Sequence, residues 1–193
     1  MSEAAETIAL LGSTGNTGKE FLPLALKGGY KVRALVRDPK KISLEDNNLS
    51  LIQGDFEDEE ALTNVLHGSD YIVCMAAAKK VDGIYPQDFM LNFVKRLYAI
   101  IDKLDNHRPK VFLYQAGSMS ADATGFLHPV AWSMKQTLGR KFDIFDKIQD
   151  NNNVIKYLGQ QAEETGIKYV VTRAGILREG TKEKDARLSQ WVR

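Results

Sequence analysis

Short apolar runs alternate along this chain with stretches whose apolar residues recur every three or four positions. The runs Thr7-Ile-Ala-Leu-Leu11, Lys31-Val-Arg-Ala-Leu-Val-Arg37, Leu49-Ser-Leu-Ile-Gln53, Asp70-Tyr-Ile-Val-Cys-Met75, Lys110-Val-Phe-Leu-Tyr-Gln115 and Lys168-Tyr-Val-Val-Thr172 read as six strands. The fourth is apolar enough to be buried on both faces. The clearest helix spans residues 87 to 105, where Phe89, Met90, Phe93, Val94, Leu97, Ile100, Ile101 and Leu104 share a face. A shorter helix starts at Asp58, an N-cap with acidic residues behind it, and presents Ala61, Leu62, Val65 and Leu66. Val154, Ile155, Leu158 and Ala162 mark another, closed by Gly166. The helix after residue 18 contains Pro23, which removes a donor, so a kink or an early change of direction is expected.

Strands alternating with helices predict an α/β fold, a doubly wound parallel sheet of about six strands with helices on both faces. Right-handed crossovers and the position of the glycine loop give the strand order 3-2-1-4-5-6. Residues 1–193 form one domain, with no repeats or low-complexity linkers. Residues 116 to 150 fit the alternation poorly. Gly117, Ser118, Ser120, Gly125 and Pro129 look like loop, and Trp132, Leu138, Phe142, Phe145 and Ile148 suggest one or two short helices. Following strand five, this segment serves either as a substrate-side insertion or as a packing cap.

The candidate chemistry centres on Gly12-Ser13-Thr14-Gly15-Asn16-Thr17-Gly18, between the first strand and the first helix. Glycines there allow unusual backbone angles and close approach to a phosphate. The helix that follows aims free N–H groups and partial positive charge at an anion. In this setting a Gly-rich turn is a pyrophosphate cradle, and a nicotinamide dinucleotide is the expected cofactor. An acid near the end of strand two would bind the ribose of NAD, and an arginine the 2′-phosphate of NADP. Arg37 and Asp38 stand there together, so that position alone decides nothing. Asp38 precedes Pro39 and has a turn role open to it, while Arg33, Lys40 and Lys41 add positive charge. NADP(H) is therefore expected over NAD(H), which stays the alternative. Arg37 as a solvated surface charge is the plainer reading.

Composition removes other classes. The 26 basic and 25 acidic residues give a net charge of +1, with no basic stripe interleaved with aromatics, which argues against nucleic acid. No apolar run approaches the ~18 residues of a bilayer span, so no membrane is expected. Three histidines and one cysteine leave little for a metal site or a disulfide framework. Cys74 reads as a buried thiol suited to a reducing compartment, and the N-terminus lacks a secretory pattern, so the expected location is cytoplasmic.

The chain resembles the atypical short-chain dehydrogenase/reductases, and within them the NmrA-like and flavin-reductase (biliverdin reductase B-like) members of the NAD(P)-binding Rossmann family. The likeness rests on Gly12–Gly18, Leu35-Val-Arg-Asp-Pro39, Gln53-Gly-Asp-Phe-Glu-Asp58 with Gly68-Ser-Asp-Tyr-Ile-Val73, and Thr165–Leu177. It implies Thr14, Asn16 and Thr17 on the cofactor phosphates and Arg37 on the 2′-phosphate. It further implies Asp55 and Phe56 beside the adenine, although Asp55 reads equally as a helix-entry turn residue. Ala76, Ala77 and Ala78 would line the adenosine path, and Gln115, Gly117 and Ser118 the nicotinamide end. Arg173, Ala174, Gly175 and Ile176 would close over it, with Ala174 where many relatives have proline.

Two departures stand out. No tyrosine is followed by a lysine four positions later, so the Tyr-x-x-x-Lys proton donor of many short-chain dehydrogenases is missing. The Lys-x-x-x-Glu of many atypical relatives falls on Ile155 and Gly159. Ser118 is left as a candidate substrate donor and His128 as a candidate proton carrier, each with a plainer loop role. The chain ends 16 residues after Leu177, where relatives usually continue, so a minimal or C-terminally short form is expected. The resemblance implies an NADPH-dependent reductase of a small acceptor (flavin, quinone or carbonyl). The alternative is a non-catalytic NADP(H) sensor acting through a regulatory protein partner. A monomer or a dimer is compatible with either.

Overall fold

The computed structural model describes residues 5–104 and 107–174. Its strands are β1 (Thr7–Leu11), β2 (Lys31–Val36), β3 (Leu49–Gln53), β4 (Tyr71–Cys74), β5 (Val111–Gly117) and β6 (Lys168–Ala174). They form one parallel sheet in the order β3-β2-β1-β4-β5-β6, as the alternation predicts. The helices are α1 (Gly18–Lys27), α2 (Glu59–Leu66), α3 (Phe89–Ile101), α4 (Pro129–Met134) and α5 (Phe145–Thr165), with a π-helical turn at Lys135–Gly139.

Period-two alternation divides each strand between two cores. Ile8, Leu10, Val32, Ala34 and Val36 face α1, which contributes Leu22, Ala25 and Leu26. Ala9, Leu11, Leu35, Ile72, Cys74, Phe112 and Tyr114 face the other way, with Leu62, Phe93, Leu97 and Leu158 among the buried helical partners. Leu10, Leu62, Leu97 and Ile101 have no measurable exposure, and burying each contributes roughly 1.5–3 kcal/mol. Cys74 is buried as expected, and desolvation pushes its thiol up to about 12.

Local signals explain the helix ends. The Asp58 carboxylate accepts from Ala61 N–H at 2.9 Å and caps α2, while Gly166 closes α5 at φ +75°. Helix α1 runs unbroken through Pro23 to Lys27, with Pro23 on the solvent side. The 87–105 segment is helical only from Phe89 to Ile101, because Asp88 adopts a left-handed conformation at φ +50°. Residues 116 to 150 contain α4 and the π-helical turn. Phe145 and Ile148 belong to the 21-residue α5 instead of a short helix of their own. No described helix is long and apolar enough to cross a membrane.

Candidate functional site

In a parallel sheet every strand ends at the same edge, so the segments after β1 to β6 meet there. Gly12 leaves β1 at φ +89°, and a Cβ on it would lie 2.7 Å from Ala76 N and 2.9 Å from the Met75 carbonyl carbon. Only glycine lets the loop pass this close to the end of β4. A Cβ on Gly18 would overlap the Gly12 carbonyl oxygen. Gly15 N–H donates to Gly12 O at 3.0 Å, and Lys19 N–H to Gly15 O at 2.9 Å. Among the described residues, the N–H groups of Ser13, Thr14, Asn16 and Thr17 take no backbone partner. Thr14, Gly15 and Asn16 are exposed, Thr17 is half-buried, and the start of α1 points into the same space.

Among the described residues, buried polar atoms without a partner gather at this edge: Ser120 Oγ in the loop after β5, and two beside the glycine loop. Ser13 is 1% exposed and its Oγ makes no hydrogen bond. Gln115 Nε2 donates to Thr17 Oγ1 at 3.1 Å, while Gln115 Oε1 is buried and unpaired. A buried unpaired polar atom costs about 1–3 kcal/mol, so such atoms collect where a ligand completes them. The glycine cradle, the free loop N–H groups and these two oxygens together fit a dinucleotide along the carboxyl edge.

The remaining residues singled out by sequence fall at the same edge with differing engagements. Arg37 is exposed, one residue beyond β2. The Asp38 carboxylate accepts from Lys40 N–H at 3.1 Å and caps a short 3-10 turn. Asp55 accepts from Glu57 N–H at 2.8 Å and Asp58 N–H at 3.1 Å, which is the turn role. Phe56 stacks on Phe93 with ring centroids 4.0 Å apart. Ala76 and Ala78 are buried after β4, and Ala77 is exposed. Gly117 pairs with Ala174 in register and Ala116 with Arg173, so the ends of β5 and β6 lie side by side. Gly175 and Ile176 lie outside the described residues.

Among the described residues neither Ser118, the candidate substrate donor, nor His128, the candidate proton carrier, has a side-chain partner that would activate it. Ser118 is exposed, with its N–H on Ala174 O at 2.9 Å. His128 is exposed and caps α4, its Nδ1 accepting from Val130 N–H at 3.3 Å. Tyr114 is buried and donates to Asn151 Oδ1 at 2.6 Å, and desolvation pushes its pKa well up. Among the described residues no cluster of metal-ligating side chains occurs.

Sequence reasoning missed the run Asp150-Asn151-Asn152-Asn153 inside α5. Asp150 accepts from Met90 N–H at 2.8 Å and Leu91 N–H at 3.0 Å. Asn151 accepts from Tyr114, Asn152 accepts from Ala121 N–H at 2.8 Å, and Asn153 donates to Asp88 at 2.8 Å. Four consecutive side chains thus join α5 to β5, the loop after it and the start of α3. The available signal was a polar gap between Ile148 and Val154 in an otherwise amphipathic pattern.

A profile of a family described as NAD(P)H-binding matches residues 12–190. The photosystem II assembly factor Ycf39 of Cyanophora paradoxa is 31% identical over 111 residues, 56% of this chain and 33% of its own length. An isoflavone reductase homolog of Zea mays is 24% identical over 153 residues, 75% of this chain and 44% of its own. The chain thus spans less than half the length of these curated relatives. The structure of an oxidoreductase from Lactococcus lactis superposes with a TM-score of 0.61 at 21% identity, covering 92% of this chain and 72% of that one. That likeness is one of fold.

Proposed function

The chain belongs to the NAD(P)H-binding family, and on that premise we propose that it is an NADPH-dependent reductase of a small acceptor. The observation that carries this reading is the glycine cradle between β1 and α1, with the unpaired Ser13 Oγ and Gln115 Oε1 beside it. In this reading the N–H groups of Ser13, Thr14, Asn16 and Thr17 and the start of α1 hold the diphosphate. Arg37 takes the 2′-phosphate, supported by its exposure and by the commitment of Asp38 to a turn. Ala76, Ala77 and Ala78 leave room for the adenosine, and Gln115, Gly117 and Ser118 border the nicotinamide. Arg173 and Ala174 close the β6 side. Asp55 and Phe56 serve the adenine end through the backbone and ring that their other contacts leave available.

Bound reduced nicotinamide supplies a hydride, and the protein's part is orientation and exclusion of water. No tyrosine has a lysine four positions after it, so the usual Tyr-x-x-x-Lys proton donor is missing, and flavins and quinones, which draw protons from water, suit the site better than carbonyls. The name of the maize relative supports reduction. A second reading, an NADP(H) sensor acting through a protein partner, draws support from the assembly-factor relative and from exposed apolar side chains such as Trp132 and Phe142.

Following NADPH absorbance near ~340 nm with flavins, quinones and aldehydes separates these readings. Turnover with any acceptor establishes the reductase. Tight binding with none establishes the sensor, and no binding removes both. Arg37→Asp should weaken NADP+ by about 10- to 100-fold and NAD+ little. Equal losses would take the 2′-phosphate away from Arg37.

A further inference from the structure

Among the described residues Lys135 is the only buried cation, at 7% exposure. No described carboxylate lies within 4 Å of its ammonium, an arrangement proteins rarely tolerate. Nζ donates to Gln149 Oε1 at 3.1 Å, Gln149 Nε2 donates to Asn153 Oδ1 at 3.2 Å, and Asn153 Nδ2 donates to Asp88 Oδ1 at 2.8 Å. The cation therefore reaches a carboxylate only through two amides. A second cation shares its aromatic partner. The Phe145 ring lies 4.9 Å from Lys135 Nζ and 5.4 Å from Arg140 Cζ.

The π-helical turn explains why one ring meets both. In an α-helix, residues five apart diverge by about 140° around the axis. The turn at Lys135–Gly139 is wider, with i to i+5 bonding, and carries residues 135 and 140 toward one ring. The neighbouring carboxylate is spent elsewhere, because Asp143 pairs with Lys80 at 2.6 Å. Asp146 is exposed. The Lys80–Asp143 pair also ties this segment to the loop after β4. Tyr85 on that loop has Lys80 at 5.2 Å and Lys147 at 5.8 Å from its ring. The amide chain ends at Asp88, where α3 begins. Both cations thus stand on the carboxyl-edge side of the sheet.

We propose that Lys135 and Arg140 form an anion subsite for a carboxylate or phosphate on the molecule that meets the cofactor. The identity of that molecule rests on the reductase reading; the subsite rests on its own geometry. Lys135 is the inner, preorganised charge, held by Gln149 and Phe145. Arg140, exposed, is the outer contact. An arriving anion supplies the counter-charge that no described carboxylate provides.

The test is calorimetric titration of the full chain with inorganic phosphate and, separately, benzoate, with and without saturating NADP+. Wild-type protein should bind one of the two, and which it prefers distinguishes phosphate from carboxylate. Lys135→Met and Arg140→Gln should each weaken that binding at least about tenfold. Arg140→Gln alters an exposed side chain, so it reports even where Lys135→Met fails to fold. Anion binding absent from the wild type, or unchanged in the folded variants, overturns the subsite. Variant-sensitive anion binding without any affinity for NADP+ upholds the subsite and removes the reductase reading.

Discussion

Gln115, the fifth residue of β5, donates from Nε2 to Thr17 Oγ1 at 3.1 Å and so ties the end of one strand to the loop that follows another. Thr17 is the N-cap residue of α1, yet its side chain makes no cap hydrogen bond. The carboxamide thus holds the end of the glycine loop from across β4. Gln115→Leu should lower NADP+ affinity by about tenfold, through the loss of the bridge and of the free Oε1. Stability should change by less than about 1 kcal/mol, because removing an orphaned oxygen offsets the lost bond. Calorimetry and urea unfolding together check this, and unchanged affinity would place Gln115 outside the site.

Gly12→Ala meets both a left-handed backbone angle and atoms of β4 within 3 Å. Gly29 has a similar φ of +83° with nothing within 4 Å of its missing Cβ. Gly29→Ala should cost about 1 kcal/mol from backbone strain alone. Gly12→Ala should cost about 3 kcal/mol or more and abolish nucleotide binding. Equal shifts in the two melting temperatures would show that the contact with β4 yields.

Asp150 supplies the cap that Asp88, in its left-handed conformation, does not give to α3. Asp150→Ala should destabilise the fold by about 2 kcal/mol, since two buried N–H groups lose their acceptor. Asp150→Asn should lose less, because an amide oxygen still reaches one of them. Chemical denaturation of the three proteins gives the order.

Acid should weaken the opposite edge of the sheet. Burial works to raise the Asp70 pKa, but the Thr7 N–H, Lys110 and His107 outweigh it and hold the carboxyl below its ordinary 3.8. A carboxylate depressed in the folded state adds stability that is present above that value and lost as pH falls below it. Asp70→Asn should therefore flatten the decline in unfolding free energy below about pH 4. A decline as steep as that of the wild type would assign acid sensitivity to other carboxylates.

Much of this was legible from residue order. The six strands and the apolar faces of α2 and α3 follow from the period of the hydrophobic pattern. The strand order follows from the handedness of crossovers and the place of the glycine loop. Less legible were engagements between distant residues. Asp38 and Asp55 looked like ligand groups as readily as turn residues, because an exposed carboxylate near a strand end suits both roles. Only the folded chain shows that both carboxylates accept from nearby N–H groups. Trp132 and Phe142 looked like core positions of short helices, yet both are largely exposed. Periodicity records which residues share a face, and says nothing about whether another element covers it.

The amino-acid order by itself determined the alternation of strand and helix, the parallel sheet and the place of the glycine loop, because these depend on local spacing, chirality and backbone freedom. Tertiary structure alone decided that Gln115 meets Thr17, that Asp150 caps a helix 60 residues away, and that Lys135 lies buried against Phe145 with no described carboxylate within 4 Å. Such pairings arise from how crossovers stack on the sheet, and a one-dimensional pattern carries no record of distances between residues far apart along it.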